Sequence, residues 1–192
     1  MSALDDAPYL HADDRAAWRA WLEANHATAS GVWLVTWRPR SGRVRLDYEE
    51  AIEEALCFGW VDSTGGHFDD ERGKLYFAPR KPRSVWAASN KARIERLVGE
   101  GRMAPAGLAA IERAKANGWW EILDSVERLE VSEDLAAALE MRPPAAVNFA
   151  AFPPSARKML LGWVAVAQRP ETRAARIEKI ADAAARNERA RG

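Results

Sequence analysis

Glu54-Ala-Leu-Cys-Phe-Gly-Trp-Val-Asp62 and Tyr76-Phe-Ala-Pro-Arg-Lys-Pro-Arg-Ser-Val-Trp-Ala-Ala-Ser-Asn90 bracket the part of the chain from which the fold is read. The first stretch closes a helix and turns into an apolar strand. The second opens as a strand, enters a basic loop stiffened by Pro79 and Pro82, and leads into a helix. Gly65-Gly66 lies between them and signals a turn, because glycine tolerates positive φ. The resulting order is helix, strand, turn, strand, basic loop, helix. Charge divides across this unit: residues 47–71 hold nine acidic side chains and no Lys or Arg, whereas residues 79–102 hold seven Lys or Arg against two acids.

Working back toward the N-terminus, Asp47 caps the helix that ends near Cys57. Its Ala51, Ile52, Ala55 and Leu56 point inward, and Glu49, Glu50, Glu53 and Glu54 are expected on a solvated face. Acids in a first turn complement the helix dipole, which gives part of the acidic block a structural role. Val32 to Trp37 is β-branched and aromatic and predicts a strand. Asp13 or Asp14 caps a helix to about Asn25 that buries Trp18, Trp21 and Leu22. Residues 1–12 read as a loose arm.

Working forward, Ser84 is the expected cap of a helix covering Trp86 to Gly99, with Ile94, Leu97 and Val98 on one stripe. Pro105 opens a helix with Leu108, Ile111 and Ala114 as its apolar face. Past Leu129 the pattern is wholly helical: Ser132 to Met141, a helix from Pro143-Pro144, Ala156 to Gln168 with Met159 and Leu160 inward, and a last helix from Pro170. The fold class is α+β, with a small antiparallel sheet and flanking helices in residues 1–128. An all-helical segment follows in residues 129–192, about 60 residues that are marginal alone and are expected to pack on the rest.

The 192-residue chain has a formal net charge of zero, so an electrostatic partner must be drawn by a local patch. Nine tryptophans predict core positions and pocket walls. The one cysteine, Cys57, excludes an internal disulfide and fits a reducing compartment. The acidic N-terminal stretch is unlike a secretory signal, and Met159 to Ala167 is far short of the roughly 18–20 apolar residues of a spanning helix. The expected protein is cytoplasmic, without membrane insertion.

The two quoted stretches, with Gly101-Arg-Met-Ala-Pro-Ala-Gly107, Phe152-Pro-Pro-Ser155, Trp163 and Pro170-Glu-Thr-Arg173, resemble the bacteriocin-protection YdeI / OmpD-associated (OmdA) family over nearly the whole chain. Ala78 stands where a Thr often precedes Pro-Arg in that family, and Ala87 where a Ser often follows Trp. The resemblance implies a bacterial cytoplasmic protein with a YjbR- or frataxin-like α+β portion, a role in stress and bacteriocin tolerance, and association with a porin. It brings no catalytic residues.

The candidate ligand-binding residues are Trp60, Asp62, Arg80, Arg83, Ser84, Trp86 and Asn90. Arginine forks, a hydroxyl and a helix N-terminus suit an anion, and the indoles would supply walls. Pairing of these arginines with the nearby acidic block is the competing reading. The expected function is non-catalytic binding of a small anionic ligand or a protein partner; the alternative is an enzyme using Asp62 as base or Cys57 as nucleophile. Burial in the core is favoured for Cys57. Nucleic acid is disfavoured by the zero net charge and the lack of a binding motif. His11, His26 and His67 share no metal-ligand spacing, and no cofactor or metal is expected.

Overall fold

The structure of the protein, a computed structural model, describes Leu4 and residues 6–190. It comprises two compact units, residues 1–84 with 89–119 and residues 85–88 with 120–192.

The first unit is built on a four-stranded mixed sheet in the order β1-β2-β4-β3. β2 (Val32–Trp37) and β4 (Arg72–Pro79) are antiparallel, as are β4 and β3 (Trp60–His67). β1 (Tyr9–His11) pairs parallel to β2, so the expected loose arm contributes an edge strand. The sheet is therefore not wholly antiparallel. Gly65-Gly66 is no turn: after a register shift between Asp62 and Gly65 the strand continues to His67, and the connection shortens to residues 68–71.

Alternation along β2 and β4 sets two faces. Leu34 and Leu75 are opposite each other on one, as are Val32 and Phe77. Against Phe77 lies Trp18, whose buried indole N–H donates to the Ala51 carbonyl at 3.0 Å. Burying one such ring contributes about 3 kcal/mol. The other face carries Trp33, Trp37, Arg72 and Lys74, with the Lys74 ammonium 4.4 Å from the Trp33 ring and Arg43 4.4 Å from Trp37.

Helices cover the apolar face where their caps dictate. α1 (Arg15–Asn25) starts at Asp14, whose Oδ1 accepts from the Ala17 N–H at 2.8 Å. α2 (Tyr48–Cys57) has a capping box in which Glu50 accepts from the Asp47 N–H at 3.1 Å. α3 (Ala88–Gly99) begins later than expected, and Trp86 precedes it. α4 (Pro105–Ala116) buries Gly107, Ala110, Ile111 and Ala114, a stripe that leaves Leu108 exposed.

The second unit is helical, with α5 (Asp124–Glu127), α6 (Glu133–Glu140), α7 (Ala145–Ala151), α8 (Pro154–Ala165) and α9 (Pro170–Ala185). Pro154 and Pro170 sit in the first turns of their helices, where no N–H is missed. Leu135, Phe149, Leu160, Val164 and Ile180 form the core. Met159 lies outside the Ala156–Leu160–Val164 stripe of α8 and is exposed. No described helix is long and apolar enough to cross a membrane.

Candidate functional site

The order helix–strand–strand brings Trp60, Asp62, Arg80 and Asn90 together around Ile52, Ala55 and Leu56 of α2. Trp60 is buried, and its indole N–H donates to the His26 carbonyl at 3.3 Å. Asp62 accepts from the Tyr48 hydroxyl at 3.3 Å. Arg80 is only 6 % exposed; burial pulls its pKa down to about 10, against the opposing charge of Asp62. Asn90 accepts from Arg93 at 3.0 Å. The space these residues enclose admits no water molecule.

The remaining expected residues are elsewhere. The Ser84 N–H closes a turn onto the Lys81 carbonyl at 2.9 Å, and Asn117 donates to the Pro82 carbonyl at 2.8 Å. These bonds hold the loop, with Lys81 and Arg83 exposed on it and making no ion pair among the described residues. Trp86 belongs to the second unit, where its ring centroid lies 5.1 Å from that of Trp120.

The acidic block finds other partners. Glu54 is fully buried and accepts from Arg15 Nε at 2.6 Å, from Arg19 Nη1 at 2.7 Å and from Arg102. Glu53, 7 % exposed, accepts from Arg15 Nη2 at 2.6 Å and from Arg96. Burial alone would raise the Glu53 pKa; the bonds from Arg96 and Arg15 outweigh it and lower it. These two glutamates do not lie on a solvated face. Their partners come from α1, α3 and the loop before α4, too remote in sequence for a local reading to find. Farther out, Glu49 is bound by Arg93 at 2.8 Å.

Cys57 sits beside this network and is fully buried. Burial and the nearby Glu54 carboxylate raise its pKa, against the lowering influence of Arg19 and Arg102. A thiol held neutral in this way is a poor nucleophile. Gly107 lets α4 approach this end of α2, with the Ala104 N–H donating to the Cys57 carbonyl at 3.0 Å. Among the described residues no group of His, Cys, Asp or Glu could hold a metal ion.

With this geometry, comparison with known proteins gives two family matches. Residues 10–110, more than half of the chain, match a family described as a domain of unknown function, DUF8412. The chain belongs to the DUF8412 family. Residues 128–187 match the family described as Bacteriocin-protection, YdeI or OmpD-Associated, the one the sequence resembles. No curated protein and no solved structure matches. The DUF8412 match takes in the sheet, the Glu53–Glu54 network and the basic loop, whereas the YdeI/OmpD-associated match covers α6 to α9.

Proposed function

We propose that the protein is a non-catalytic, cytoplasmic bacteriocin-tolerance protein that works by binding. Its contact is the loop that follows buried Arg80, where Lys81 and Arg83 are exposed beside Ser84, and this loop meets an acidic protein partner or a small anionic ligand. One observation carries this reading: the arginines facing the acidic block are committed to glutamates, while Lys81 and Arg83 stand exposed and make no ion pair among the described residues. Trp60, Asp62, Arg80 and Asn90 then act as the anchorage of the loop, with Trp60 and Asp62 behind it, rather than as walls of an open cleft. The YdeI/OmpD-associated match supports the tolerance role. Any porin link would be regulatory or would involve a precursor, since a mature outer-membrane porin is out of reach from the cytoplasm.

The test is bacteriocin survival of a bacterium lacking the protein, complemented with wild type or with Lys81→Glu/Arg83→Glu. Both positions are exposed, so the double variant should melt within about 1 kcal/mol of wild type. Restored survival with wild type and none with the charge-reversed variant is the expected result. Equal protection by both would refute the reading.

A further inference from the structure

At the Gly73 end of β4, away from the basic loop, a cavity of about 290 Å³ opens on the helix-covered face of the sheet. Leu34, Thr36 and Leu75 form its floor, and Trp37, Tyr48 and Arg38 are among the residues around it. Its size is near the lower end of pockets that take small organic molecules, roughly 300 Å³, and its lining is mostly apolar.

Gly73 is the telling residue. It lies opposite Thr36 in the sheet, in line with Leu75 and Phe77, where a core side chain would be expected. Its φ is not positive, so the backbone does not require glycine. Nor does packing: a Cβ there would find only the Gly66 carbonyl oxygen within 4 Å, at 3.7 Å. Glycine inside a strand weakens it, and where neither turn nor crowding demands one, it marks a place kept clear for something that approaches the sheet. The missing side chain leaves the cavity.

The charges at the cavity define what would enter. Arg45 is paired with Asp47 at 2.9 Å, and the Lys74 ammonium is turned toward Tyr9 and Trp33. The Arg38 guanidinium makes no ion pair or hydrogen bond among the described residues, although its backbone N–H is fixed to the Glu71 carbonyl at 2.9 Å. An apolar floor with one uncommitted guanidinium at the edge matches a molecule with an apolar body and one carboxylate.

We propose that this pocket binds a small apolar monocarboxylate, its body on the Leu34–Thr36–Leu75 floor over Gly73 and its carboxylate on Arg38. The site is separate from the basic loop and does not depend on the function proposed for it.

Isothermal titration calorimetry with benzoate, cinnamate and octanoate, each beside its neutral primary amide, tests the assignment on the full chain. Gly73→Val places a β-branched residue in a strand where there is room for it, so the variant should fold. Circular dichroism and a melting curve establish this independently. Wild type is expected to bind at least one of the acids, and Gly73→Val to weaken that binding about tenfold or more by occupying the floor. Arg38→Gln should weaken the acid about tenfold and leave the amide unchanged. No binding of any acid by wild type up to millimolar concentration, or equal affinity in a folded Gly73→Val protein, would overturn the pocket. Equal loss of acid and amide in Arg38→Gln would overturn the carboxylate assignment.

Discussion

Gly107 and Cys57 are in backbone contact: a Cβ on Gly107 would lie 2.2 Å from the Cys57 carbonyl oxygen and 2.7 Å from its carbon. The obstacle is main chain at the end of α2, which cannot swing aside as a long side chain could. Gly107→Ala must therefore push α4 off α2. Overpacking of this kind costs about 1–3 kcal/mol. Urea denaturation should show that loss, whereas Gly99→Ala, with nothing within 4 Å of the new methyl, should cost much less. Equal midpoints for Gly107→Ala and wild type would contradict the packing described.

Glu54 is the fully buried anion of the arginine network, and removing its charge takes from Arg19 its buried partner and leaves Arg15 and Arg102 with Glu53 as their buried anion. Breaking a buried pair from one side costs about 3–5 kcal/mol, and the partial hydration of these arginines places Glu54→Gln near the low end. For a chain of this size each kcal/mol lowers the melting temperature by roughly 2–4 °C. Glu49→Gln removes the outer, more exposed pair with Arg93 and should cost less than about 1 kcal/mol. Thermal melts of the two variants side by side decide the matter; the same loss in both would mean that burial adds nothing here.

How much of this could be read from the sequence depended on whether the deciding partner was local. Asp14, Asp47 and Pro105 mark helix starts through bonds or backbone geometry within three residues, and α1, α2 and α4 begin there. Tyr9–His11 escaped because a three-residue parallel strand has no pattern of its own; its partner lies more than twenty residues away. Gly65-Gly66 was misread because glycine's freedom suggests a turn, whereas here the pair follows a register shift inside a strand. Glu53 and Glu54 look like surface residues in any window, and only the fold brings four arginines onto them. Asp62 and Arg80, just past the end of β4, lie close enough for the carboxylate to act on the guanidinium, but no sequence pattern shows that the space around them is filled.

Acid should weaken the helical unit through Asp134. Its carboxylate accepts from Arg173 Nε at 2.6 Å and Nη2 at 2.9 Å, and these bonds hold its pKa down at about 2. The folded value lies below the ordinary one of about 3.9, so the stabilisation is complete above roughly pH 4 and disappears as pH falls through about 2. Asp134→Asn lacks that titration. Melting temperatures followed by circular dichroism between pH 5 and 2 should fall less steeply for the variant than for wild type. Parallel curves would show that the Arg173 pair is not coupled to stability.

The chain passes between its two units at 84/85, 88/89 and 119/120. Trp86, 2 % exposed in the finished molecule, thus leaves the ribosome among residues of the first unit, while its ring partner Trp120 is made 34 positions later. Translation at about 5–20 residues per second makes that interval on the order of seconds. Until then the Trp120 ring that Trp86 packs against in the second unit has not been made, so this contact waits on the C-terminal half of the chain.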